Sequence, residues 1–222
     1  MNALILLVCL TADAPAATPT AAADALGDSP TGTLLMSHGC CLYVKAYTGS
    51  RWTHVGVLMQ EQDGPVVYDS QKGVGVRRSP LRKYLEMQSG AEVRAIRPAR
   101  QLSENRADRL TAALTGELGR PYGVSHFLTG RPSEGLHCSE YASGALRQAG
   151  LIRVRNPSDV SPGSLYSGLM KAELYQVAAE FELEEPPAAA PSGLSRCGQC
   201  WWETRQCCRD AGKAVTGWLL CW

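Results

Sequence analysis

Leu136-His137-Cys138-Ser139-Glu140-Tyr141 reads as a loop turning into a helix, with a cysteine in the first turn. A thiol at a helix N-terminus feels the positive end of the helix dipole, which favours thiolate over thiol. The helix predicted here runs from Cys138 to Ala149, where Gly150 stops it. Cys138, Tyr141 or Ala142, Ala145 and Ala149 share its packed face, and such small residues let a helix approach a sheet closely. Far upstream, Trp52-Thr53-His54-Val55-Gly56-Val57-Leu58 reads as a strand bearing one histidine. An imidazole within reach of the thiol could take its proton and later return it to a leaving group. The two stretches together point to thiol-dependent hydrolysis.

Working outward, Thr31 to Met36 is a strand candidate, and Leu42 to Tyr47 is compatible with helix or strand. The histidine strand extends to Met59, Asp63-Gly64 marks a turn, and Val66-Val67-Tyr68 forms the next strand. Gly73-Val74-Gly75-Val76 leads into a third strand. Ser79-Pro80 would then cap a helix over Leu81 to Met87, and Glu92 to Ile96 returns as a strand. Ser103 caps a helix from Glu104 to Leu118, with Ala107, Leu110, Leu114 and Leu118 on one face and Gly119 at its end. Strands grouped in the first half and flanked by helices predict an α+β domain.

The 222 residues have room for one domain with a real core plus extensions, and 45% of them are apolar. The formal net charge of +1 gives no electrostatic case for nucleic acid. No apolar run is long enough to span a bilayer as a helix. Residues 1–25 read as a leader: an apolar run from Ala3 to Leu10, then Ala12-Asp13-Ala14 and Ala23-Asp24-Ala25 as small-residue cleavage motifs. The expectation is a secretory signal or a disordered segment, and a secreted or extracytoplasmic protein. The domain proper is assigned to 26–182. Glu182 to Ser192 is an acidic and Pro/Ala-rich linker, so 183–222 comprises linker and tail. Five of the nine cysteines lie from Cys197 onward, which leaves too few in the domain for a disulfide framework.

Taken in order, Gly32 to Met36, Ala46 to Ser50 and Thr53-His54-Val55-Gly56-Val57 resemble the opening of the YiiX-like cysteine hydrolases, circularly permuted relatives of the NlpC-type papain-like amidases and peptidases. Cys138-Ser139-Glu140-Tyr141 resembles that family's nucleophile motif, and Pro157 to Pro162 its following loop. The likeness covers roughly residues 30 to 175, and its His-before-Cys order is that of the permuted branch. Thr33 departs from it, standing where the family usually has an acid. The resemblance implies a papain-like α+β fold, an antiparallel sheet packed against helices, with Cys138 as nucleophile at a helix N-terminus, His54 as general base and acid, and a polar third residue on the strand after His54. Asp69 is the best match for that third residue, because a carboxylate stabilises imidazolium better than a phenol; Tyr68 is the neighbouring alternative. The implied substrates are peptide-like amides and acylated small molecules or lipids, with no cofactor or metal.

Other titratable residues have simpler explanations. His137 is expected to point away from the thiol, because adjacent helical residues diverge by about 100°. Glu140 suits a helix's first turn by the dipole alone, and His126 is a candidate substrate-loop residue. Ser37-His38-Gly39-Cys40-Cys41 mimics a metal or redox site but lacks further ligands nearby. In the tail, the adjacent Cys207-Cys208 fits poorly beside Cys197 and Cys200 as a zinc pair. The Trp-rich Val215 to Trp222 could touch a membrane surface or a partner groove. The rival reading to an enzyme is a papain-fold docking module that uses this tail.

Overall fold

A computed structural model describes residues 14–38, 50–131 and 133–185. The chain divides into two units, Met1–Glu184 and Glu185–Trp222, and the described architecture is that of the first. Cys40, Cys41, the 42–47 segment and the Cys- and Trp-rich tail all lie outside the described residues.

Seven strands form one sheet in the order β1-β7-β6-β2-β3-β4-β5. They are β1 (Ala16–Ala17), β2 (Thr33–His38), β3 (His54–Glu61), β4 (Gly64–Gln71), β5 (Gly75–Pro80), β6 (Glu92–Pro98) and β7 (Tyr175–Leu183). Every neighbouring pair is antiparallel except β1 and β7, so the expected antiparallel sheet gains one parallel edge pair. Two tight turns set the register around the site. Gly64 (φ +110°) closes β3 onto β4 and Gly73 (φ +80°) closes β4 onto β5, both in left-handed backbone that favours glycine.

The described helices are α1 (Pro19–Leu26), α2 (Leu81–Met87), α3 (Glu104–Thr115), α4 (Ser125–Thr129), α5 (Cys138–Gln148) and α6 (Pro162–Lys171), with a 3₁₀ turn at Pro157–Asp159. The central strands are buried on both faces, which explains their unbroken apolar runs. Leu34, Met36, Val57, Val66 and Tyr68 pack with residues of α3, α5 and α6. The alternating Leu35, Leu58 and Val67 pack with α1 and α2. Helix α5 is buried nearly all round its first two turns, so it lies within the domain instead of on its surface. No helix among the described residues is long and apolar enough to cross a membrane.

The folded domain begins before residue 26, inside the segment expected to be a leader. Thr18 accepts a hydrogen bond from the Ala21 N–H at 3.1 Å and Pro19 opens α1, a helix-start signal hidden in an alanine-rich stretch. Ala22 and Leu26 are buried in the core that contains Leu35 and Leu58. Two further boundaries move. Helix α3 ends at Thr115 instead of Leu118, and β5 continues through Pro80, making the proline and not Ser79 the cap residue of α2.

Candidate active site

The antiparallel register of β3 and β4 sets Asp69 opposite Gly56, two residues along from His54. The Asp69 carboxylate reaches diagonally across the strand pair to the imidazole. Asp69 Oδ2 lies 2.9 Å from His54 Nε2, with the carboxylate fully buried and the His54 side chain 16% exposed. Tyr84 from α2 lies behind the ring, its plane 26° from that of His54 at a centroid distance of 6.3 Å. On the far side Arg77 of β5 holds the same carboxylate, Nε to Oδ1 at 2.8 Å.

Cys138 is the first residue of α5 and is buried. Three side chains fix the chain around it. Ser70 of β4 donates its hydroxyl to the Leu136 carbonyl at 2.6 Å. The Ser139 hydroxyl donates to Val160 O at 2.6 Å. His137, the N-cap residue in extended backbone, accepts the Glu140 N–H on Nδ1 at 3.3 Å and lies 3.1 Å by Nε2 from Ser158 O. The Pro157–Asp159 turn and the residues after it thus support the helix start from below.

The side chains of His54 and His137 both interact with the Cys138 sulfur. Burial, the largest single influence, raises the thiol pKa, but the charge of His54 and the close approach of His137 and His54 outweigh it and bring it down to about 6. Burial likewise opposes protonation of His54, yet the Cys138 charge and the Asp69 hydrogen bond carry its pKa up to about 10. Asp69 is held below the ordinary carboxylate value: burial pushes it up, and its bonds and charge contacts with His54 and Arg77 push it further down. The favoured state near neutrality is therefore a thiolate–imidazolium pair with a carboxylate behind it. With Nε2 given to Asp69, Nδ1 is the nitrogen left to face the sulfur.

Cys138, His54 and Asp69 are thus brought together. Tyr68 is not part of the group, since its hydroxyl donates to Glu61 Oε1 at 2.7 Å. The expectation that His137 points away from the thiol is corrected: as N-cap it sits outside the helical rotation that the argument assumed. Glu140 is buried and binds His126 Nδ1 through Oε1 at 2.9 Å, which ties α4 to α5. His38 pairs with Glu92 at 3.7 Å. Arg77 is the member of the site that reading residue types alone did not find. Among the described residues, no group of three or more His, Cys, Asp or Glu side chains is arranged to hold a metal ion.

A family model described as permuted papain-like amidase enzyme, YaeF/YiiX, C92 family, matches residues 28–187. No curated protein matches the chain. Among solved structures, the metalloprotein yiiX from Escherichia coli O157:H7 is similar at 17% identity, over 68% of this chain and 88% of that one, with a TM-score of 0.48. The family match takes in the histidine strand, the helix that begins at Cys138 and the loop after it, and the chain belongs to the permuted papain-like amidases of the YaeF/YiiX, C92 family.

Proposed function

We propose that the protein is a thiol hydrolase that cleaves an amide or ester through an acyl-cysteine intermediate on Cys138. The observation that carries this reading is the buried array of Cys138 at the tip of α5, His54 beside it and Asp69 2.9 Å behind His54. The Cys138 thiolate adds to the substrate carbonyl carbon, and the resulting oxyanion can accept the Cys138 backbone N–H at the helix N-terminus. His54 then passes its Nδ1 proton to the departing amine or alcohol as the carbonyl–heteroatom bond breaks. Water enters, His54 takes one of its protons, and the hydroxide displaces the thiolate to release a carboxylic acid. Asp69 holds the imidazole in the required orientation and stabilises its charged form throughout. An acceptor amine or alcohol in place of water gives acyl transfer by the same steps. The substrates that fit this chemistry are peptide-like amides and acylated small molecules or lipids.

The experiment is labelling with peptide-like and lipid-like acyl electrophiles, comparing wild type with Cys138→Ala and His54→Ala. Label on wild type that disappears from the Cys138 variant supports the reading, and the electrophile accepted identifies the substrate class. Label that persists in Cys138→Ala places the reactive group elsewhere and overturns it.

We further propose an extracytoplasmic location. Cleavage after Ala23-Asp24-Ala25 would strip β1 and nearly all of α1 from the domain, whereas cleavage after Ala12-Asp13-Ala14 leaves both in place. Fractionation with N-terminal sequencing tests this: protein in the growth medium or periplasm beginning near residue 15 is expected, and protein confined to the cytoplasm with residues 1–14 intact would contradict it.

A further inference from the structure

We propose that Arg77 is a positioning residue of the same site, gripping Asp69 from the neighbouring strand so that one fixed carboxylate oxygen faces His54 and the buried charges balance. The inference rests on the thiol-hydrolase reading. Asp69 and Arg77 are direct partners across β4 and β5. Arg77 Nε lies 2.8 Å from Oδ1 and Nη2 lies 3.3 Å from Oδ2, the oxygen that also meets His54. Nη2 is held in turn by Gln71 Oε1, so the guanidinium plane is fixed from its own side as well.

Two consequences follow from the fork. The first is orientation. A carboxylate with one partner can swing about its Cβ–Cγ bond, whereas one clamped on both oxygens cannot, so the His54 ring inherits its plane from Arg77. The second is charge. Thiolate and imidazolium cancel, but a fully buried Asp69 leaves one uncompensated negative charge. Arg77, with a side chain only 17% exposed, supplies the missing positive charge. Asp69 is bonded by His54 from β3 and Arg77 from β5, and Tyr84 from α2 and Tyr141 from α5 feel its charge without bonding to it. The titratable groups acting on Cys138 are His54 and His137, and Tyr84 feels its charge. Arg77 is thus the fixed cation that balances the carboxylate. Its removal makes the site more negative, so the thiolate becomes harder to form and the imidazolium harder to discharge.

The test is site-resolved alkylation of Cys138 by iodoacetamide as a function of pH, read by mass spectrometry in Arg77→Gln, Arg77→Lys, Asp69→Asn and the Asp69→Asn/Arg77→Gln double variant. In Arg77→Gln the rise in labelling moves to higher pH by about one unit, so labelling on the acid side is about tenfold slower. Arg77→Lys keeps a point charge without the fork and moves the rise by less. In the Asp69→Asn background Arg77→Gln moves the rise by less than it does alone, because the clamp on that carboxylate is already gone. An unmoved rise in whichever Arg77 variants fold, or a shift that adds in full to that of Asp69→Asn, overturns the proposal while leaving Cys138 as the nucleophile. Wild-type Cys138 that labels like an ordinary thiol removes the hydrolase reading itself.

Discussion

Ser70 donates its hydroxyl to the carbonyl of Leu136 across 2.6 Å, joining β4 to the turn two residues ahead of Cys138. Asp69, its neighbour on the strand, points to the opposite face and holds His54. Adjacent residues of one strand therefore position both the imidazole and the thiol. Ser70→Ala leaves the Leu136 carbonyl without this partner in a buried setting, at a cost of about 1–3 kcal/mol in urea unfolding. The larger effect is on chemistry. Releasing the turn blurs the distance between sulfur and ring, and kcat/KM for a reporter acyl substrate falls by about tenfold or more.

The pH dependence separates the two partners. Cys138, lowered to about 6, loses its proton well before His54, raised to about 10, does. Below the lower value the thiol is protonated and unreactive; above the higher one the thiolate survives, but the proton needed by the leaving group is gone. Turnover rises through about 6, holds, and falls toward about 10, as two macroscopic steps of one coupled pair. Alkylation of Cys138 shares the rise and lacks the fall, because it needs no proton donor. The two profiles measured on one preparation check both limbs, and a shared fall would remove His54 as the acid.

Asp69→Asn keeps the shape of the site and removes its charge. The imidazolium loses its buried counter-ion, so the alkaline limb of turnover moves to lower pH, and kcat falls by ~10²–10⁴ as in other triads. Steady-state rates across the pH range report both effects, and undiminished turnover would take Asp69 out of the mechanism.

The parts of this fold legible in the sequence are those whose signal is local. The apolar run around His54 and the small-residue face after Cys138 needed only their own neighbours to be read. Chemistry favours Asp69 over Tyr68, and β-sheet register gives the same side chain to His54. Arg77 was within reach of the same logic: the Gly73 turn pairs Gln71 with Gly75, and counting outward sets Asp69 against Arg77. Strand β7 was not legible, since only Tyr175 and Leu183 at its two ends are buried and its pairing with β6 depends on distant chain. Helix α1 was hidden for a different reason. Alanine-rich sequence suits both a processed leader and a helix, and only the burial of Ala22 and Leu26 separates the two.

His137 does two jobs that one substitution can separate. It caps α5 through Nδ1, and its ring interacts with the Cys138 sulfur. Asparagine is a good N-cap without an imidazole, so His137→Asn keeps stability within about 0.5 kcal/mol while the rise in Cys138 alkylation moves to higher pH. His137→Ala loses both, and its unfolding free energy drops by about 1 kcal/mol. Thermal denaturation paired with alkylation distinguishes the variants. An unmoved thiol profile in His137→Asn would reduce the residue to a helix cap.

Gly56 occupies the middle of a strand for a steric reason tied to the site. A Cβ there would lie 2.6 Å from Val67 Cγ1 and 2.9 Å from the Tyr84 hydroxyl. Both neighbours are fully buried, so neither can give way without disturbing the core that backs His54. Gly56→Ala is therefore destabilising by about 1–3 kcal/mol despite alanine's better intrinsic fit to a strand. It also opens the β3–β4 pairing at the position opposite Asp69, so turnover falls along with stability. Tyr84→Phe removes one of the two clashing atoms. Combined with Gly56→Ala it recovers part of the lost stability, a non-additive result readable in urea melts of the two single variants and the double. Full additivity would show that the glycine is required by Val67 alone.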